Sequence, residues 1–386
     1  MLFFWSIFAG IFSYLTPILI TEAGYSSFEL GLICSTASIA GAISDFFISK
    51  FFAKSHYTRL YLYMFLLSFG GFVVLYYSST LALFILAMIL WGIFYDLMSI
   101  ASFDFVGNDT KKDENAYSFG IIELAGDLGG LTAPIIAGYI IVSTVNNKVF
   151  LAGTLFLLLS FLFFLFLKLN DGVKKDIKKE YVSHRKTNVI AELHTWTKLG
   201  RIIFPVLVVT AFLNFIDAFF WTLGPLYSLQ FPQHAEFGGI FLTAYMLPSI
   251  LADFVVGKTT ERFGKKKTAF LSVLAGSVVL IPLLLFNPPV VIIVITFISS
   301  MLNSVAWPAV KSIYADYIEE TKTLDREIEG LADFFNNIGN IIGPILAGIC
   351  ASLFGLSPAF GILGILGVLL TLILIKVTPK HIRVPK

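Results

Sequence analysis

Among the acidic residues that lie inside long apolar runs of this sequence, where a charge is costly, four are candidates for chemistry. Asp127 and Asp217 fall about ten and about fifteen residues into their runs, near the middle of a bilayer if the runs are membrane helices. Asp96 and Asp253 fall nearer to one end of theirs. An ionisable group at such depth by default marks an ion or substrate pathway. A carboxyl group in such a pathway can exchange its proton for a cation.

Aromatic residues cluster around Asp217 in the sequence: Phe215, Phe219, Phe220, Trp221 and Tyr227. Such a group could enclose an apolar or cationic ligand, because aromatic faces attract cations. Since aromatic residues make up 16% of the chain, packing against lipid is the competing interpretation for most of them. We assign Trp221, one helical turn after Asp217, to the candidate substrate site.

Membrane helices must position these residues. Hydrophobic residues make up 57% of the 386 residues and charged residues 13%, and the mean hydropathy is +0.85. Soluble domains have about 25% charged residues, so a soluble fold is excluded. The continuous apolar runs also exclude a barrel, whose strands alternate apolar and polar residues. The runs predict an all-α protein with twelve spans, at 2–20, 28–49, 60–79, 81–105, 117–143, 149–168, 202–228, 237–258, 268–286, 290–316, 328–353 and 358–376.

Basic residues predict the orientation of these spans. With the N-terminus inside, 25 of the 27 basic residues fall on the cytoplasmic side, and only Lys148 and Lys311 do not. Because cytoplasmic loops retain lysine and arginine, both termini are predicted to be cytoplasmic, in the cell (plasma or inner) membrane. The lysine-rich segment 169–200 is predicted to be a cytoplasmic linker. It would join an N-terminal six-helix bundle, 1–168, to a C-terminal bundle, 201–386, that ends in a short cytoplasmic tail.

The two halves of the sequence repeat each other. Four residues of span 5 recur 210 positions later in span 11: Gly120, Gly129, Pro134 and Gly138 match Gly330, Gly339, Pro344 and Gly348. Glu123 matches Asp333 at the same offset, Gly41 and Asp45 match Gly257 and Glu261, and Asp104 matches Asp316. The repeat predicts two six-helix bundles. Near the cytoplasmic span ends we expect Glu123, Asp333, Asp104 and Asp316 to be solvated or helix-capping carboxylates.

The turn after span 8 carries a recognisable motif. From Gly257 it reads glycine, three residues, the acid Glu261, the basic Arg262, any residue, Gly264 and two lysines. At this position it resembles the loop signature of the major facilitator superfamily. The resemblance implies two pseudo-symmetric six-helix bundles and assigns gating to Gly41, Asp45, Gly257, Glu261, Arg262 and Gly264. Phe46, Ile48 and Ser49 replace the basic and glycine positions in the first copy, which we expect to tolerate substitution better.

Span 5 also resembles the antiporter signature of that superfamily, with alanine at two of its glycine positions. Helix packing is the competing interpretation, because small residues let membrane helices approach closely and proline can bend them. Span 11 carries a fuller copy that includes Gly343. The predicted packing residues are Gly120, Gly129, Pro134, Gly138, Gly330, Gly339, Gly343 and Pro344.

Lys311 lies about a turn and a half from the inner end of span 10. One interpretation is that its side chain extends to the membrane surface. The other is an ion pair with Asp96 or Asp104, because the resemblance places spans 4 and 10 at a central cavity.

No cofactor or metal is predicted. Ala252–Thr259 matches a phosphate-binding loop only at its end, with no strand before it, and the five histidines have no metal-ligand spacing. The expected partners are a small-molecule substrate, protons and the lipid bilayer, without nucleic acid, and we expect a monomer.

The sequence thus predicts a secondary transporter, whose halves rock about a midplane site as the resemblance implies. Acids without a paired base near the midplane favour proton-coupled efflux of a cationic or lipophilic compound. The alternative is a proton-coupled or facilitative importer of a small polar solute such as a sugar. A membrane enzyme acting on lipid-linked substrates is a remote third possibility, because the outer loops are short.

Overall fold

The computed structural model describes residues 1–51, 55–109, 115–141, 144–171, 189–231, 234–286, 288–321 and 324–377. This part of the chain contains helices and no strand. The helices are α1 (Leu2–Glu22), α2 (Ser27–Phe51), α3 (Tyr57–Tyr76), α4 (Leu81–Asp109), α5 (Asn115–Ile140), α6 (Asn147–Asp171), α7 (Val189–Ser228), α8 (His234–Phe263), α9 (Lys265–Leu280), α10 (Pro289–Thr321), α11 (Asp325–Phe354) and α12 (Leu356–Val377). A short 3-10 helix, Ile281–Leu284, continues α9.

Length and hydropathy make these helices membrane spans. In the described part, eleven helices are long and apolar enough to cross a bilayer. Helix α8 is bent by 63° between Phe237–Ala252 and Val255–Phe263, and it is the twelfth span when both parts are counted together. A helix satisfies its own backbone hydrogen bonds, which hydrocarbon cannot do. The predicted all-α fold with twelve membrane helices is confirmed.

The start of α7 differs most from the predicted spans. The span was predicted to begin at 202, but α7 begins at Val189, inside the predicted linker. Leu199 is buried, and Trp196 packs on α11, with its ring centroid 6.3 Å from that of Phe334. This apolar face extends the helix into a polar stretch of sequence. Residues 172–188 of the predicted linker lie outside the described part.

One compact unit comprises Met1–Ile177, Phe219–Met246 and Pro344–Leu356. Helix α1 runs through its core, where Phe8 packs 5.1 Å from the ring of Phe72 and Phe12 packs 5.8 Å from that of Phe94. In a bilayer such packing stabilises the fold through van der Waals contact, because lipid is as apolar as these side chains. These contacts fix α1 against α3 and α4.

Within this unit, the end of α7 and parts of α8 and α11 pack against α1, α2 and α5. The buried hydroxyls of Tyr14 and Ser228 lie 2.8 Å apart. A Cβ atom added to Gly138 of α5 would lie 2.6 Å from the Cα of Gly239 in α8. Similarly, Gly31 of α2 faces the carbonyl of Pro344 in α11. Helices from both halves of the sequence therefore meet here at contacts that require glycine.

The other compact unit comprises Lys178–Ala218, Leu247–Gly343 and Ser357–Lys386. Its helices α9 and α10 pack through small and polar residues. Ser299 Oγ donates a hydrogen bond to the Gly276 carbonyl at 2.8 Å, and the Asn303 amide fills the space beside Gly276. Such residues let membrane helices approach closely and hydrogen-bond across the interface.

Candidate functional site

The acids predicted near the midplane lie well inside their helices. Asp127 is the thirteenth of the 26 residues of α5, and it is exposed. Asp217 lies on α7 in the other compact unit and is half-buried. Trp221, one turn further on, is also half-buried and belongs to the first unit. A carboxylate that is exposed at the centre of an apolar helix is costly in hydrocarbon. Asp127 therefore faces water, polar protein groups or a ligand.

Most aromatic residues near Asp217 are covered by protein. Phe219 and Phe220 are buried, and Phe220 stacks on Tyr245 with ring centroids 4.1 Å apart. Phe215 and Tyr227 are at most 7% exposed. The interpretation of these four side chains as lipid-facing is therefore wrong, because neighbouring helices cover them. Trp221 differs from them in keeping an accessible surface.

Asp96 and Gly41, predicted for different roles, lie in one contact. Ser44 Oγ of α2 donates a hydrogen bond to Asp96 Oδ2 of α4 at 2.7 Å. A Cβ atom at Gly41 would lie 2.9 Å from that oxygen, so glycine leaves room for the carboxylate. Gly92 of α4 faces the Ala37 carbonyl of α2 in the same way. Asp96 thus joins α2 to α4 through a polar contact.

The predicted gating loop is attached to α10. Gly264 caps α9 with φ of +82°, a left-handed conformation that favours glycine. The following Lys265 Nζ forms an ion pair with Asp316 Oδ1 at 2.5 Å, and the Lys266 ammonium lies 5.5 Å from the Tyr317 ring centroid. A cavity of about 300 Å³ lies between the loop and α10. Asp316, expected to be solvated or helix-capping, keeps 47% of its side chain exposed and also pairs with Lys265 of the loop.

Three other predicted gating residues lie at the protein surface. Gly257, Glu261 and Arg262 are exposed, and the Arg262 guanidinium lies 5.3 Å from the ring centroid of Phe263. The side chain of Asp45 lies outside the described residues. Lys311 is exposed on α10.

Most of the predicted packing glycines stand where a neighbouring helix leaves no space for a Cβ atom. The contacts join Gly129 to Phe3, Gly138 to Gly239, Gly330 to Trp196, Gly339 to Ala211 and Gly343 to Ala218. Pro134 and Pro344 present carbonyls to Gly239 and Gly31. A Cβ atom at Gly120 would meet nothing within 4 Å, so close helix contact does not explain that glycine.

Asparagine side chains form a hydrogen-bonded group that the sequence reasoning missed. Asn340 Nδ2 of α11 donates to Asn214 Oδ1 of α7 at 3.3 Å. Asn214 Nδ2 donates to Asn336 Oδ1 at 2.7 Å and to the Thr210 carbonyl at 2.9 Å. The Asn336 side chain also hydrogen-bonds the Asp333 carboxylate. We call Asn214, Asn336, Asn340 and Asp333 the amide ladder.

A second contact holds the same region together. Thr210 Oγ1 of α7 and Tyr314 Oη of α10 lie 2.7 Å apart, so three helices of one compact unit meet through polar side chains. Within it, Asn214 is buried, Asn336 and Asn340 are half-buried, and Asp333 is exposed. Asp333 lies eight residues after the start of α11, where it bonds Asn336 and does not cap the helix.

A sequence signal for the ladder was available. Asp333, Asn336 and Asn340 recur at intervals of three and four, which places them on one face of α11. The offset of 210 puts Gly126 and Gly130 of the first half at the positions of Asn336 and Asn340. The amides are therefore specific to the second half of the repeat.

Known proteins resemble this chain in sequence. The family model described as Major Facilitator Superfamily matches residues 1–238 and 206–386. The MFS-type transporter YqjV of Bacillus subtilis (strain 168) is 23% identical over 354 residues, which cover 89% of this chain and 81% of YqjV. The multidrug resistance protein MdtG of Klebsiella pneumoniae (strain 342) is 20% identical over 264 residues, which cover 66% of this chain and 61% of MdtG.

Solved structures share the fold. The nucleoside transporter NupG superposes with a TM-score of 0.73 at 12% identity, covering 97% of this chain and 96% of that one. A bacterial homolog to the human lysosomal transporter Spinster, inward-facing and occupied, gives 0.75 at 14% identity, covering 99% and 96%. At these identities the similarity shows the fold alone. The relatives and structural neighbours are transporters and not enzymes, against the membrane-enzyme alternative.

Proposed function

The chain belongs to the major facilitator superfamily, and from that premise we propose that this membrane transporter exports a cationic or lipophilic organic compound in exchange for protons. The observation that carries the proposal is the exposed carboxylate of Asp127 at the centre of α5. Because lipid cannot solvate a charge at this depth, an exposed carboxylate here indicates a polar path that a proton or a cation can reach. A proton and a cation competing for one carboxylate provide exchange.

Asp217 and Trp221 of α7 are two further candidates for substrate binding, each considered by itself. Both are half-buried on the same face of α7, one turn apart. A carboxylate and an indole ring each suit an organic cation, because both attract positive charge. Asp96, held by Ser44, is the reserve candidate for proton transfer.

Transport by alternating access requires contacts that open and close. In the first compact unit, the glycine contact between α5 and α8 and the Tyr14–Ser228 hydrogen bond join helices from the two halves of the sequence. We assign these contacts to the outer side and the loop with Glu261 and Arg262 to the cytoplasmic side, from the distribution of basic residues. In this scheme both termini are cytoplasmic and one chain transports by itself. The name multidrug resistance protein, given to MdtG, agrees with export.

A proton-coupled or facilitative importer of a small polar solute, such as a sugar, is the second candidate. The amide ladder favours it, because neutral amides bind hydroxyl and amide groups through paired hydrogen bonds. The two candidates differ in the charge of the substrate and in the direction of transport.

Reconstituted protein tests the leading proposal. Wild-type protein in liposomes should accumulate an organic cation such as ethidium when the lumen is more acidic than the medium. Asp127→Asn and Asp217→Asn should still exchange labelled substrate across the membrane, but should not concentrate it. Glu29→Gln is the matched control, because Glu29 accepts hydrogen bonds from Ser26 at the start of α2 and has no role in coupling. Full accumulation by both aspartate variants would remove these residues from the mechanism.

A further inference from the structure

The ladder face of α11 lies at a depth where polar groups need water. Counted at about 1.5 Å per residue from the start of α11, Asp333 lies about 12 Å and Asn340 about 22 Å along the helix. Asp333 is exposed, and Asn336 and Asn340 are only partly covered by protein. Partly covered amides and an exposed carboxylate along this stretch are unfavourable against hydrocarbon. This face is therefore suited to line an aqueous path.

The fold itself does not require these amides. In the repeat, Gly126 and Gly130 of α5 occupy the positions of Asn336 and Asn340. Helix α5 packs against α1 through small residues and carries no amide at those two positions. Interhelical hydrogen bonds between asparagines stabilise membrane proteins by only about 0.6–2 kcal/mol each. Stability alone is thus a weak reason for an amide at both position 336 and position 340.

The hydrogen bonds of the ladder form a chain from α11 to α7 and back to α11. Asn340 donates to Asn214, and Asn214 donates to Asn336, whose side chain bonds the Asp333 carboxylate. Both N–H groups of Asn214 are used, because one also donates to the Thr210 carbonyl. Asn214 is buried, so it holds the two half-buried amides in fixed positions and cannot itself leave to bind a ligand. Asn336, Asn340 and Asp333 are the members that a solute can reach.

We propose that Asn336, Asn340 and Asp333 bind the N–H or O–H groups of the transported compound, and that Asn214 positions them. The proposal rests on the proposed transport function and narrows its substrate class. The substrate carries hydrogen-bond donors, such as the amines of an organic cation or the hydroxyls of a nucleoside. Carboxylate and amide oxygens accept such donors. A lipophilic cation that has no donor gains nothing from this face.

Equilibrium binding to purified protein tests the proposal without transport or a gradient. The probes are ethidium, which has two aromatic amines, uridine, which has hydroxyl and imide donors, and tetraphenylphosphonium, which has no donor. We expect Asn336→Ala and Asn340→Ala to weaken the binding of at least one donor-bearing probe about tenfold. The binding of tetraphenylphosphonium should stay unchanged. Asn303→Ala is the matched control, because Asn303 is a buried asparagine of the same unit, between α9 and α10.

Three results would overturn the proposal. The first is unchanged binding of every probe by folded ladder variants, with or without a lower unfolding temperature. The second is an equal loss of all three probes, and the third is a wild-type protein that binds neither donor-bearing probe. If Asn336→Ala does not fold, alkylation of an Asn337→Cys variant lacking Cys34 and Cys350 decides the matter, because residue 337 lies four residues after Asp333 and three before Asn340 on α11. A donor-bearing probe should slow that alkylation, and no slowing counts against the site. Intact selective binding in a protein that transports nothing would contradict only the proposed function.

Discussion

The contact between Gly138 of α5 and Gly239 of α8 predicts a large difference between two alanine substitutions on one helix. A Cβ atom at Gly138 would lie 2.6 Å from the Gly239 Cα, whereas carbon atoms pack best about 3.5–4.0 Å apart. Gly138→Ala therefore forces the two helices apart by about 1 Å. Overpacking of this kind costs about 1–3 kcal/mol, and the better helix propensity of alanine returns about 1 kcal/mol.

Gly120→Ala is the matched control, because a Cβ atom there meets nothing within 4 Å and gains only the propensity term. The two variants should then differ by about 1–3 kcal/mol in the stability of the packed arrangement. The assay is alkylation of a Thr243→Cys reporter in protein lacking Cys34 and Cys350, since Thr243 lies in the same interface. Gly138→Ala should raise the alkylation rate at least fivefold, and Gly120→Ala should leave it unchanged. Equal rates in the two variants would refute the reasoning.

Three further predictions concern the loop and the topology. Asp316→Asn removes the ion pair with Lys265 and should slow transport. It should shift the unfolding temperature little, because exposed ion pairs contribute about 0–1 kcal/mol. The charge-swapped double variant Lys265→Asp with Asp316→Lys should recover the transport rate, and no recovery would argue against the pair. Glu261→Ala should lower the transport rate more than the folded yield and more than Asp45→Ala does, and a wild-type rate would remove Glu261 from gating. In intact cells, an impermeant thiol reagent should label a cysteine at Ser79 and spare one at Lys258, and the reverse pattern would invert the topology.

Much of the fold could be predicted because the membrane restricts the choice of structure. An apolar run of about 20 residues has to become a helix, since hydrocarbon leaves no other way to satisfy the backbone. Apolar runs did not predict the extension of α7 to Val189. It depends on the packing of Trp196 on α11, where Trp196 contacts Gly330, which lies 134 positions later in the sequence. Local polarity in that stretch favoured a linker.

The candidate site was less predictable, because it depends on the register between helices. Depth along a run identified Asp127 and Asp217 as candidates. The contact of Asp96 with Ser44 and Gly41 needs the relative position of α2 and α4, which no local pattern specifies. The ladder was missed for the same reason. No local sequence pattern distinguishes Asn214 from other residues of α7, and its role follows only from its hydrogen bonds with two asparagines of α11. The spacing of Asp333, Asn336 and Asn340 on one helix face was the available signal.

In the proposed mechanism substrate and protons exchange through Asp127, so the pH of a vesicle lumen should change when substrate enters. Liposomes that contain the wild-type protein and a trapped pH-sensitive dye are given a pulse of ethidium, with no pH gradient at the start. Exchange predicts that protons leave as the cation enters, so the lumen becomes alkaline, and that Asp127→Asn abolishes the change while substrate still enters. Entry of substrate into wild-type vesicles with a constant or falling luminal pH would contradict proton exchange.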